Sequence, residues 1–122
     1  MTTIVIERSR AMAGVLWALQ IFSAGVFVLA GVSKLAGVPM MVQMFGVIGV
    51  GQWFRYATGT IEVVGAALLL IPSVASYGAA ALAVTMVGAI LTHLFVIGGS
   101  PAMPIVLLAS TAAIAWARRS GR

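Results

Sequence analysis

Cysteine is absent from the 122 residues. That removes disulfides, thiolate metal sites and CxxC redox chemistry. Four-helix membrane oxidoreductases that relay electrons through paired thiols are excluded with them. There is one histidine, which cannot supply two axial ligands to a haem. Any electrons this chain handles must travel on something it binds. Acidic residues are nearly missing, at two, and charged residues of both signs make up 7% of the chain. A soluble domain carries about 25%. No P-loop, nucleotide fingerprint, metal cluster or nucleophile triad is present.

What is there is apolar. Hydrophobic residues make up 62% of the chain, and the mean hydropathy is +1.17. Lipid would solvate such a surface, and water would not. The sequence pI near 11.4 raises the question of nucleic acid. The seven cations answer it. Arg8 and Arg10 stand at the start, Arg118, Arg119 and Arg122 at the end, and only Lys34 and Arg55 between. That spacing marks membrane flanks and not a phosphate-binding stripe, so no nucleic-acid partner is expected.

Four apolar runs are long enough to cross a bilayer, given about 20 residues per span. They cover about 13–35, 54–71, 74–97 and 102–117. The fold class predicted is all-α: a bundle of four transmembrane helices in one domain spanning 1–122. Pro39, a favourable first helical residue, opens a further short helix over about 39–52, interfacial or re-entrant between spans one and two. Arg8, Arg10 and Val28-Leu29-Ala30 resemble parts of a signal peptide. The apolar stretch exceeds the usual 7–15 residues of such a signal, so an uncleaved first span is expected. Five arginines stand on the side of the two termini, against Lys34 and Arg55 on the other. The positive-inside rule then places both termini in the cytoplasm. Trp116 and the terminal arginines read as anchors at that interface. The glycines within the spans (Gly25, Gly31, Gly59, Gly65, Gly78 and Gly88) are expected to let helices pack closely.

Ionisable residues inside a bilayer are expensive and usually functional. Glu62 lies about eight residues into span two, roughly 10–12 Å deep at 1.5 Å per residue. A carboxylate there needs a cationic partner or a proton. Arg55 stands seven residues earlier on nearly the same helix face, about 20° away. A buried ion pair that only fixes packing and a ligand or proton site are both open readings. His93 lies near the outer end of span three, beside Thr92 and two turns beyond Thr85. It is either hydrogen-bonded to a neighbouring helix or a proton carrier for a polar ligand. Lys34 closes span one on the same side, either snorkelling to the interface or pairing with Glu62. Gln43, Gln52 and Tyr56 fall at the same level, and the inner half offers no equivalent group. A polar pocket in the outer half, open to the outer leaflet or periplasmic face, is the expectation. Its ligand-binding or proton-handling candidates are Lys34, Arg55, Glu62, His93, Tyr56 and Gln52. Met40, Met41 and Met44 form a soft apolar surface suited to variable ligands or partners, with no metal site expected.

Three stretches resemble the DoxX family of small bacterial membrane proteins: Phe27 to Leu35, Tyr56 to Leu70 and Met86 to Leu94. Their order and spacing, and the places of Lys34, Glu62 and His93, carry the resemblance. It implies a four-helix fold in the bacterial inner membrane and a link to quinone-dependent redox. The expected function is then a membrane subunit of a redox system. Such a subunit would bind quinone or a partner oxidoreductase, with no covalently bound cofactor. If it is an enzyme, it is an accessory subunit of a quinone-linked oxidoreductase. A non-enzymatic assembly or stabilising factor is the alternative, and a homo-oligomer is compatible with either. A small proton-coupled transporter fits less well, because the first span lacks the glutamate that four-helix exporters place there.

Overall fold

The first apolar run continues in both directions as helix: α1 covers Thr2–Ala36. It is followed by α2 (Pro39–Ile48), α3 (Trp53–Leu69), α4 (Ala75–Thr92) and α5 (Ala102–Ala117). The last turn of α4 widens into a π-helical segment, His93–Ile97. This computed structural model describes residues 2–119, with side chains from Ser9 onward. Arg122 and the side chain of Arg8 lie outside the described residues.

Two of these helices are long and apolar enough to cross a membrane, Ser9–Ala36 and Ala75–Ile97. The other two long helices are shorter: α3 has 17 residues and ends before the expected Ile71, and α5 has 16 over the expected 102–117. Each spans about 24–26 Å at 1.5 Å per residue, against a hydrocarbon core of about 30 Å.

The ends of the helices follow from local sequence. Gly37, at φ 72°, lets the chain leave α1 in a left-handed turn. Val38 N–H then donates to Ser33 O and Gly37 N–H to Lys34 O, the paired bonds of a Schellman stop. Pro39 has no N–H to leave unsatisfied and starts α2.

The four long helices alternate in direction. α1 packs on α3, α3 on α4, α4 on α5, and α5 closes on α1. The core between them is narrow. Phe27, Leu69, Leu82 and Ile114 are fully buried, with Ala24, Ala66, Ala75 and Ala79 filling the gaps. Most large apolar side chains point outward instead, including Leu29, Tyr77, Val84 and Phe95, all more than 70% exposed. In lipid such exposure carries no penalty, and close backbone contact has to hold the helices together.

Glycine supplies that contact at two places. A methyl group on Gly59 would lie 2.9 Å from Gly31 O, and one on Gly31 would lie 2.8 Å from Gly59 O. Across α3 and α4, one on Gly65 would meet Leu82 Cγ at 2.7 Å, and one on Gly78 would meet Leu68 Cβ at 2.6 Å. Gly25 and Gly88 differ from expectation, since nothing lies within 4 Å of a methyl group at either. They open onto space and do not bring helices together.

Candidate ligand site at the end of the bundle near α2

The Gly31–Gly59 contact joins two antiparallel helices, so one turn onward along each leads away from it in opposite directions. The Lys34 and Glu62 side chains, each leaning toward its own helix N-terminus, turn back to meet beside it. Lys34 is three residues beyond Gly31, and Glu62 three beyond Gly59. With the backbones in contact, Lys34 Nζ reaches Glu62 Oε1 at 2.8 Å. Glu62 is almost fully buried, at 2% exposure, while the lysine side chain keeps 14%. Removing a carboxylate from water without a cation would be far more costly, so the lysine makes this burial tolerable. Of the two readings open for Lys34, the structure shows the pair.

Beside the pair lies a cavity of about 380 Å³, within the range of small-ligand sites. Lys34 and Glu62 line it from α1 and α3, and His93 from the end of α4. Thr58, Thr85 and Thr92 add hydroxyls, and the rest of the wall is apolar. The short helix α2 contributes Met41, Met44, Phe45 and Ile48, and the start of α5 contributes Met103 and Pro104. Phe45 is buried edge-on against Phe54, with centroids 5.8 Å apart. Gly88 also lines the cavity, so the missing side chain there is part of its volume.

His93 begins the π-helical segment. Single π turns are frequent at functional sites, because the extra residue re-aims a side chain. Nδ1 of His93 is 2.9 Å from Gly98 O. A carbonyl only accepts, so Nδ1 carries the hydrogen and donates it. Nε2 is then the acceptor in the neutral ring and a second donor in the imidazolium.

Three other expected site residues take different positions. Arg55 does not pair with Glu62. Its Nη1 donates to Lys34 O at the end of α1, and its Nε donates to Gln52 Oε1 at 2.7 Å. The guanidinium also lies over the Tyr56 ring, 4.4 Å from the centroid. The reason is directional: helical side chains lean toward the N-terminus, which carries Arg55 away from Glu62 and onto the C-terminal carbonyls of α1. Gln52 Nε2 donates to Val42 O at 3.1 Å, tying α2 to α3. Arg55, Gln52 and Tyr56 therefore form a clamp between α1, α2 and α3 and do not line the cavity. Gln43 is exposed.

The half of the bundle nearer the two termini is not devoid of polar groups, contrary to expectation. Gln20 is fully buried; its Nε2 donates to Leu69 O at 2.7 Å. Its Oε1 accepts from Arg118 Nε and Nη2 at 3.1 and 3.0 Å. Ser23 and Ser110 hydrogen-bond across α1 and α5 at 2.6 Å. These hydrogen bonds lock α1, α3 and α5 together. Among the described residues no group of three or more His, Asp or Glu side chains could hold a metal ion.

Comparison with known proteins places this arrangement in context. A sequence profile described as the DoxX-like family matches residues 18–116. A Bacillus subtilis protein named "Putative oxidoreductase CatD" is 30% identical over 74 residues, which is 61% of this chain and 55% of that protein. The matched part thus spans about half the length of that relative. No solved structure matches the chain.

Proposed function

The chain belongs to the DoxX-like family, and from that premise we propose that it is a membrane-embedded subunit of a redox system whose outer cavity binds a quinone-type ring. In this reading α1, α3, α4 and α5 each cross the bilayer of a bacterial inner membrane. The shorter α3 and α5 are accommodated by local thinning of the bilayer, which costs only fractions of a kcal/mol per Å. Helix α2 lies along the interface as a roof. Arg10, Arg118 and Arg119 at the opposite end put the termini in the cytoplasm.

The observation that carries the proposal is the cavity itself. It combines apolar walls with ionisable side chains from three helices, Lys34, Glu62 and His93. Apolar walls suit a ring and its hydrocarbon tail. A few convergent polar groups suit the oxygens on the ring. A bound quinone would supply two-electron redox chemistry that the side chains lack. Lys34 and His93 would orient the ring oxygens, and Glu62 keeps Lys34 in place. Nε2 of His93 is positioned to take or release a proton at the cavity wall. The name of the relative supports a redox setting.

The test is binding of decylubiquinone to the purified chain in detergent. Saturating ligand at 100 times Kd should stabilise the protein by about 2.7 kcal/mol, read as a rise in Tm. Gly88→Leu should abolish the rise, since its side chain enters the cavity. If no quinone shifts the wild-type Tm and a membrane protein co-purifies instead, the assembly-factor reading replaces this one.

A further inference from the structure

The hydrogen-bonding side chains of the cavity are unequally divided between donors and acceptors. Thr58, Thr85 and Thr92 each donate their hydroxyl hydrogen to the carbonyl four residues earlier. The partners are Phe54 O at 2.8 Å, Ala81 O at 2.9 Å and Gly88 O at 2.7 Å. Each hydroxyl is left with lone pairs only. His93 donates Nδ1–H to Gly98 O, which leaves Nε2 as an acceptor in the neutral ring. Glu62 accepts only, and its Oε1 is held by Lys34 Nζ at 2.8 Å. Lys34 is the one lining side chain whose donor hydrogens are not committed to the backbone; its ammonium faces Glu62 at 2.8 Å and has hydrogens left for one ligand oxygen. The lining thioethers are weak acceptors as well.

A ligand that satisfies these walls must bring hydrogens. A ring with two carbonyls brings only acceptors. Lys34 can meet one of them, and the other would set lone pairs against the lone pairs of the threonines and of His93 Nε2 beside apolar walls, where unpaired polar groups are costly. A ring with two hydroxyls brings two donors. We propose that the cavity selects the reduced, dihydroxy form of its ring ligand over the oxidised dicarbonyl form. This rests on the quinone-type reading above and adds the redox state to it.

The experiment compares three ligands on the purified full chain in detergent under anaerobic conditions: decylubiquinol, decylubiquinone and the dimethyl ether of decylubiquinol. Affinity is read by titration calorimetry. The quinol should bind about tenfold more tightly than the quinone, roughly the effect of one net hydrogen bond. The dimethyl ether should lose that advantage. Thr85→Val together with Thr92→Val should bring the quinol-to-quinone ratio towards one, because both acceptors are removed at nearly constant volume. The ratio is taken on one preparation, so any unfolded fraction cancels. Equal affinities, or tighter binding of the quinone, would overturn the preference while leaving the site intact. Binding of none of the three would overturn both the preference and the proposed site.

Discussion

Replacing Gly59 by alanine adds one methyl group where α1 and α3 touch. That carbon would stand 2.9 Å from Gly31 O, 3.0 Å from Lys34 Cβ and 3.1 Å from Leu35 Cγ. Ordinary contact begins at 3.4 Å, so the carbonyl is too close by 3.4 − 2.9 = 0.5 Å. A backbone carbonyl cannot rotate aside, and the helices must part. Overpacking of this kind destabilises by about 1–3 kcal/mol. Alanine in place of glycine in a helix returns about 1 kcal/mol. Gly88→Ala gains the same helical preference without the clash, since nothing lies within 4 Å. The gap between the two variants, about 1–3 kcal/mol, therefore isolates the helix contact. Unfolding in mixed micelles by titration with dodecyl sulfate measures it. Gly88→Ala should be more stable than wild type, and Gly59→Ala clearly less stable than Gly88→Ala. Equal stability of the two variants, or Gly88→Ala as the weaker, would refute the contact that joins Lys34 to Glu62.

Other outcomes follow from the same contacts. Lys34→Met leaves the Glu62 carboxylate buried without its cation and should destabilise by about 3–5 kcal/mol; adding Glu62→Leu should recover most of that in the same titration. Gln20→Leu strips Leu69 O and Arg118 of a buried partner and should lower stability by about 1–3 kcal/mol, without altering quinone affinity. Arg55→Met removes the clamp between α1, α2 and α3, so limited proteolysis within 37–52 should accelerate while the Lys34–Glu62 pair persists.

How far the sequence could be read depended on the kind of signal each residue carries. Long apolar runs locate helices because hydrocarbon admits little else, and the starts at Pro39 and Ala102 coincide with those of α2 and α5. Lys34, Glu62 and His93 stand out because charge is so rare in this chain, and depth counted along separate helices brings them to one level. Rotation and side-chain direction were harder to read. Arg55 and Glu62 share a face by spacing, yet the lean of helical side chains sends the guanidinium toward the end of α1. Gln20 escaped notice because it is uncharged, and its partner Arg118 stands at the far end of the chain. Spacing alone does not separate a glycine that joins helices from one that opens a cavity. Gly59 and Gly88 look alike until the neighbouring helix is in place. The π-helical segment at His93 has no composition of its own that the sequence could show.

The central claim is that Lys34, Glu62 and His93 line one cavity that accepts a quinone-type ring. Photolabelling of the purified chain with an azido-quinone, followed by mass spectrometry of its peptides, addresses it directly. Adducts should fall within 30–34, 41–62, 85–97 and 103–107, and excess decylubiquinol should suppress them. Adducts confined to outward residues such as Leu29, Val84 or Tyr77, unaffected by competitor, would contradict the claim.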